Sequence, residues 1–403
     1  MSRDDVLIVG AGPAGAVAAV VLARAGARVR LIDRSKFPRH KLCGDTINPG
    51  TLAILGRLGL RTALERDALP LNGMLVSGPR GVSVEGRYPD GLQGFSISRS
   101  AMDHALIGEA LRAGATFDDD VVVREALIDD ASGLPTVAGV TALVHGALRR
   151  WRAPVVIAAD GRRSTLASSL GLLAPAAAPR RWAIGAYFED PSSSTLGEMH
   201  IRKGRYIGVA PLPGGAANVC VVKPSSAGDL AWADPETLLR RELADEPMLR
   251  ERFAGGRIVR PPIVLGPLAA DATGRAMDGL LVAGDAAGFI DPMTGDGLRF
   301  AVRGGELAAA AALEALAQGW QGVHARLLTE RRREFSVKWR FNRALRASVE
   351  RPALVDAASA GAHFLPGVVR RMIAYAGDCG LARSESRSHE PSAVTHHQIH
   401  TER

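Results

Sequence analysis

The residues best suited to chemistry begin within the first 33. Gly10-Ala11-Gly12-Pro13-Ala14-Gly15 follows at once on the apolar run Val6-Leu7-Ile8-Val9, and Asp33 stands eighteen residues after Gly15. Glycines at this spacing suit a backbone wrapped round a pyrophosphate. Gly10 permits a tight turn, Gly12 lets the backbone approach the phosphates, and Gly15 allows close helix packing. A helix starting near Ala14 would aim its unpaired N–H groups and positive dipole end at the same phosphates. Asp33 can accept hydrogen bonds from both hydroxyls of a ribose and disfavours a 2′-phosphate, so the pattern points to FAD or NAD rather than NADP.

These groups need a frame. Val6 to Val9 reads as a strand buried on both faces of a parallel sheet. Ala14 to Ala25 reads as a helix stopped by Gly26, and Arg28 to Asp33 as a second strand, which completes a βαβ unit. Val155 to Ala159 is a further strand ending in Asp160-Gly161, and Leu280 to Ala283 another ending in Gly284-Asp285. Between them Met74 to Ser77, Val82 to Glu85, Trp182 to Phe188 and Ala216 to Val222 read as strands separated by Gly/Pro turns. Residues 300 to about 376 are helical by periodicity, with Phe341, Leu345 and Val349 at i, i+4 and i+8.

The three strand-ending segments, in this order and at these intervals, resemble the single-Rossmann flavoproteins of the aromatic-hydroxylase superfamily. That superfamily includes geranylgeranyl reductases, flavin-dependent halogenases and quinone-linked flavoprotein dehydrogenases. Lys41-Leu42-Cys43-Gly44-Asp45 and the stretch from Gly284-Asp285-Ala286-Ala287-Gly288 through Pro292 to Gly295-Asp296-Gly297 are similar to the K-x-C-G-D/E and GDAAG-x-x-x-P-x-x-G-D/E-G segments of the geranylgeranyl reductase group. Aromatic hydroxylases typically carry His where this chain has Gly288. The resemblance spans residues 6 to about 310 and implies non-covalently bound FAD.

It also implies a division of labour. Gly10, Gly12, Ala14, Gly15, Asp33 and Arg34 fall to the ADP half, and Asp285 to the ribityl hydroxyls. Gly295 and Gly297 open a helix at Leu298 beside the flavin pyrimidine, where its N-terminus would stabilise negative charge on reduced flavin. Arg99 matches the superfamily arginine that reaches the cofactor, with Asp103 capping or anchoring its helix. Asp160 takes a structural role near flavin and pyrophosphate. Cys43 and Gly44 fall where the chain passes the isoalloxazine, which makes Cys43 the one candidate for direct chemistry; the alternative is a small buried hydrophobe. Cys220 and Cys379 have no such context. No second G-x-G-x-x-G follows Gly15, so NAD(P)H must bind transiently or another reduced carrier must supply the electrons.

The expected fold is α/β: a Rossmann-type FAD-binding domain (1–70, 96–178 and 266–320) interleaved with a mixed β-sheet substrate domain (71–95 and 179–265). A C-terminal helical region (321–379) and a disordered tail (380–403) complete the chain. Two departures bear on the reaction. Where geranylgeranyl reductases carry Y-x-W-x-F-P and tryptophan halogenases W-x-W-x-I-P, this chain has Tyr206-Ile207-Gly208-Val209-Ala210-Pro211. No lysine lies between Lys41 and Lys203 to hold a halogenating species. The small Gly208 and Ala210 imply a roomier or differently shaped cavity than the usual isoprenoid needs, and the resemblance implies reduction of carbon–carbon double bonds in a hydrophobic small-molecule metabolite. The alternatives are a monooxygenase hydroxylating an aromatic or polyketide-like substrate, a quinone-linked dehydrogenase, a halogenase, or a flavin-binding protein without catalysis.

Composition sets the outer bounds. A chain of 403 residues, 47% hydrophobic and 23% charged, with 45 glycines, is long enough for two or three domains, and disorder and collagen are excluded. Three scattered cysteines build neither a disulfide framework nor a zinc site and fit a reducing cytoplasm. No signal peptide is expected, and apolar runs such as Ala14 to Leu22 stop well short of the roughly 18 residues of a membrane span. Residues 321 to 351 hold nine basic and three acidic side chains, six of the net +8. Without a nucleic-acid-binding motif, no nucleic-acid partner is expected, and no obligate protein partner is inferred. Leu328, Phe335 and Trp339 could share one helical face there, either as a peripheral membrane contact ringed by arginine or as an ordinary core face. Four histidines (His389, His396, His397 and His400) would lie in a solvated tail, with weak metal binding the alternative.

Overall fold

The computed structural model describes residues 4–130, 133–175, 181–190, 192, 194–225, 229–288 and 293–388. A five-stranded parallel sheet runs in the order Leu280–Val282, Val155–Ala158, Val6–Val9, Val29–Ile32, Thr116–Asp118. Val6–Val9, at its centre, is buried throughout, as an all-apolar strand covered on both faces must be. A seven-stranded sheet has the order Ile258–Leu268, Arg181–Glu189, Ala216–Pro224, Arg205–Leu212, Leu196–Arg202, Gly73–Ser77, Ser83–Arg87, antiparallel except where Leu196–Arg202 meets Gly73–Ser77.

The helices are α1 (Pro13–Arg24), α2 (Pro49–Arg57), α3 (Thr62–Glu65), α4 (Arg99–Arg112), α5 (Thr165–Ser169) and α6 (Pro235–Ala244). Then come α7 (Gly297–Gln318), α8 (Val323–Val349), α9 (Pro352–Phe364), α10 (Pro366–Ala376) and α11 (Cys379–Ser388). Helix α1 is almost wholly buried because its surface is Ala, Val and Gly, and α7 packs hard against it. At Gly305 of α7 a Cβ would lie 2.2 Å from the Ala14 carbonyl oxygen. That close approach brings the start of α7 to the start of α1.

One expectation changes here, and two that stood between alternatives are decided. The tail is not disordered from residue 380: α11 runs to Ser388, with Cys379 and Ala382 buried and Arg57 of α2 paired to Glu385 at 3.2 Å. Gly50 makes this docking possible, since a Cβ there would sit 2.2 Å from Asp378 Cβ. The four tail histidines lie outside the described residues. Second, Phe335 and Trp339 of α8 turn inward, their rings 5.1 and 6.2 Å from Phe300 of α7, so the face they share is a core face. Leu328 alone is left well exposed. Third, α4 is capped by Ser98, which accepts the Ala101 N–H at 3.2 Å, while Asp103 holds Arg99 through two 2.9 Å bonds.

Candidate active site

A cavity of about 620 Å³ lies between the two sheets, and its walls gather residues from the whole described chain. At one end is the glycine turn. Gly10 adopts φ +103° and has the Ala159 carbonyl 2.5 Å from where a Cβ would be; at Gly15 a Cβ would stand 1.9 Å from the Gly10 carbonyl. Both glycines are thus consumed by packing the turn on itself. Gly12 differs: the nearest atoms to its missing Cβ are guanidinium nitrogens of Arg39 and Arg99, at 3.4 and 3.7 Å. The turn, the N-terminus of α1 and two cations converge there, which is the donor set a pyrophosphate requires. Burial opposes the charge of Arg99, but Asp103 beside it and Cys43 raise its pKa well above the usual arginine range.

Asp33 is buried, and its oxygens already accept the N–H of Ala11 at 2.8 Å and of Ser35 at 2.9 Å. A carboxylate has about four acceptor sites, so capacity remains toward the cavity it lines. Further along the wall, Asp160 accepts the Thr165 N–H at 3.0 Å with one oxygen, while its other oxygen is buried without a partner. Burial raises its pKa, opposed by those hydrogen bonds. Asp285, Gly295, Gly297 and Leu298 line the same space, with Gly295 at φ +76° ahead of α7. Asp296 between them is fully buried and points away, held by Lys338 at 3.3 Å and Asn342 at 3.2 Å. Lys338 also donates to the Tyr375 carbonyl at 2.7 Å and pairs with Asp378 at 3.1 Å, so α8 ties the glycine loop to the C-terminal helices.

At the far end of the turn region, Cys43 sits above a buried cluster. Asp45, at φ +51°, accepts the Tyr187 hydroxyl at 2.7 Å, the Asn218 amide at 2.8 Å and the Arg99 backbone N–H at 3.1 Å. Its pKa is nevertheless pushed up to about 7, because burial outweighs those bonds. Asn218 also donates to the Cys43 carbonyl at 2.5 Å, and its own carbonyl oxygen is buried without a partner. Burial likewise pushes the Cys43 thiol up, with Arg99 pulling it down.

Of the residues expected at the site, Gly10, Gly12, Ala14, Asp33, Arg34, Cys43, Gly44, Arg99, Asp160, Asp285, Gly295, Gly297 and Leu298 line this one cavity; Gly15 stands behind it. Sequence reasoning missed Arg39, Asp45, Tyr187 and Asn218, and it gave Cys220 no context although that residue lines the wall. Lys41 and Asp45 lay in a motif already noticed; nothing local marks the others. The open cradle at Gly12, the two guanidinium groups and the orphaned Asp160 and Asn218 oxygens all fit an extended, phosphate-bearing, hydrogen-bonding cofactor, and FAD has that form.

Fold and site therefore define a flavoenzyme with, among the described residues, one dinucleotide-binding unit. The chain belongs to the FAD binding domain family, which matches residues 3–342, and it is an FAD-dependent oxidoreductase. It is 31% identical to a menaquinone reductase of Mycolicibacterium smegmatis over 76% of each chain. It is 29% identical to digeranylgeranylglycerophospholipid reductase 2 of Methanopyrus kandleri over 77% of each. A match to conditioned medium factor receptor 1 of Dictyostelium discoideum, 28% identical, takes in 77% of this chain but only 63% of that protein. Among solved structures, a geranylgeranyl bacteriochlorophyll reductase-like protein of Thermoplasma acidophilum superposes with a TM-score of 0.76 at 21% identity, covering 97% of this chain and 98% of that one. The flavin-dependent brominase Bmp2 shares the fold too, with a TM-score of 0.77 at 19% identity over 96% of this chain and 99% of that one.

Proposed function

We propose that the chain reduces carbon–carbon double bonds in a long hydrophobic metabolite of isoprenoid type. The observation that carries this reading is the gradient along the cavity face of the seven-stranded sheet. Successive cross-strand rows run from Tyr187 and Asn218, through Gly185, Cys220, Gly208 and Met199, to Ala183, Val222, Tyr206 and Ile201. The row beside Cys43 and Asp45 carries Tyr187 and Asn218; in the further rows named here the one hydroxyl is that of Tyr206, whose ring lies under the Arg181 guanidinium. Otherwise those rows are apolar, and Phe341, Leu345, Val369 and Ile373 from the C-terminal helices close over them. A hydrocarbon chain would bury itself along this wall at roughly 25 cal/mol per Å², with one end held at the polar row. Gly208 keeps the passage wide, since nothing lies closer than 4.0 Å to where its Cβ would be. The names of the menaquinone and digeranylgeranylglycerophospholipid reductases, whose sequences this chain resembles, favour the same substrate class.

Bound FAD, once reduced, supplies the hydride. The protein holds the alkene along the apolar wall, excludes water from it, and keeps a proton at Cys43 Sγ, where burial favours the thiol. Cys43 would deliver that proton to one alkene carbon, the other carbon taking the hydride, so that the double bond would become a single bond. Arg99 stabilises the thiolate left behind until solvent restores its proton. Two electrons and a proton would have to be returned by NAD(P)H or another reduced carrier binding transiently. The test is turnover without oxygen. Pre-reduced enzyme under argon with a polyprenyl quinone should yield, after any quinol has been reoxidised to quinone, a product whose side chain holds two more hydrogens. A product formed only in air and carrying an added oxygen atom would make the protein a monooxygenase and refute the reading.

A further inference from the structure

We propose that the corner between α9 and α10 docks on an anionic lipid bilayer, so that the cavity receives its substrate from the membrane side. Helix α10 carries a broad apolar arc. Val369, Ile373 and Ala376 line the cavity, and beside them Leu365, Val368, Met372 and Tyr375, spaced i, i+3, i+7 and i+10, run along the exposed side, with Met372 also reaching the cavity lining and Tyr375 edge-on to Phe341 of α8 at 4.9 Å. These four are 62%, 49%, 39% and 40% exposed, and Phe364, at the tip of the corner, is 78% exposed. A helix covering a core ordinarily turns polar residues outward. A contiguous exposed apolar patch marks a surface that another phase or molecule covers.

Charge selects the occupant. From Ala357 to Gly377 there is no carboxylate, whereas Arg370 and Arg371 are both exposed on α10. The nearest acids on either side are engaged: Asp356 with Lys203 at 3.0 Å, and Asp378 with Lys338 at 3.1 Å. Arg370 donates to the Glu85 carbonyl at 3.2 Å, and the Glu85 carboxylate is itself engaged by Arg87 at 2.9 Å, so two copies of this face would set arginine against arginine. Anionic headgroups complement it, with Phe364 and Leu365 entering the acyl boundary and the arginines at headgroup level, as in interfacial helices. Among the described residues no helix is long and apolar enough to cross a membrane, so this contact lies in the interface plane. Because Met372 belongs both to the exposed side of α10 and to the cavity lining, and α10 lies on the sheet edge at Gly86, where a Cβ would come within 2.5 Å of Ile373, the bilayer and the apolar wall are adjacent.

The delivery role rests on the proposed reduction of a hydrophobic substrate; the docking itself does not. Full-length, FAD-loaded protein is co-sedimented with vesicles of phosphatidylcholine containing phosphatidylglycerol and with phosphatidylcholine alone, at low and high salt. Binding is expected to the anionic vesicles and to weaken with salt. Phe364→Ser with Leu365→Ser should lower the partition coefficient on the order of a hundredfold, and Arg370→Gln with Arg371→Gln roughly thirtyfold. The flavin spectrum and thermal midpoint should not move. No binding of the unaltered protein at low salt, or binding that both double variants retain, overturns the proposal. So does a dimer in sedimentation equilibrium that Phe364→Ser with Leu365→Ser converts to monomer, which would assign the face to self-association. Vesicle binding without turnover of any polyprenyl substrate would sink the functional reading alone; turnover without vesicle binding would sink this one alone.

Discussion

Asp45 offers the sharpest check on the electrostatics of the site, because its ionisation opposes folding. The carboxyl is fully buried and its pKa stands at about 7 in the folded protein against an unfolded value of 3.8. Below pH 3.8 both states hold the proton, and Asp45 costs nothing. Between about 4 and 7 the unfolded chain gives up its proton while the folded chain keeps it, so stability falls as pH rises. At 1.36 kcal/mol per unit, the whole window is worth about 4 kcal/mol. Asp45→Asn abolishes the titration. The amide oxygen can still accept from the Arg99 N–H, but its NH₂ would face the Asn218 amide, at a fixed cost of about 1 to 3 kcal/mol. Urea denaturation of both proteins, with FAD in excess, should therefore show the variant less stable than the parent at pH 4.5, gaining on it to about pH 7 and levelling off above. Taking the difference between the two proteins cancels the other carboxyls. Parallel profiles over this range would refute the assignment of a raised pKa to Asp45.

Asp33→Ala should weaken FAD binding at least roughly tenfold, because charge-assisted hydrogen bonds of about 1.5 to 3 kcal/mol each disappear; flavin-fluorescence titration of the apoprotein measures it. An unchanged dissociation constant would place the nucleotide elsewhere. Lys338→Met leaves Asp296 and Asp378 buried without their shared cation, and breaking a buried pair costs about 3 to 5 kcal/mol. Chemical denaturation should register that loss, together with weaker flavin retention as the Gly295–Gly297 loop loosens; full stability would mean that the ion pairs around Asp296 contribute little.

The βαβ unit was legible because its demands are local. A glycine that must turn, a glycine that must pack and a helix start are all written within a few consecutive residues, and the strand, helix and acid follow at fixed spacing. The glycine loop before α7 was readable for the same reason. Periodicity likewise found that Phe335 and Trp339 share a face, but a face has no partner until the chain is folded, and Phe300 of α7 claimed this one. The tail beyond Cys379 looked unstructured because it is poor in apolar residues. It is helical to Ser388 because small residues, Gly50 and Cys379 among them, let α11 sit close against α2 and its neighbours.

What the sequence by itself determined is a nucleotide-binding frame and the residue types around it. What only the tertiary structure decided is which distant side chains meet. Asp45, Tyr187 and Asn218 are 142 and 173 positions apart along the chain yet share hydrogen bonds of 2.7 and 2.8 Å. Their meeting depends on the cross-strand register of a seven-stranded sheet, and a shift of one residue would turn Asn218, Cys220 and Val222 to its other face. The apolar arc of α10 is decided the same way, since its spacing does not say which part closes the cavity and which part is left to the solvent side; only packing settles that.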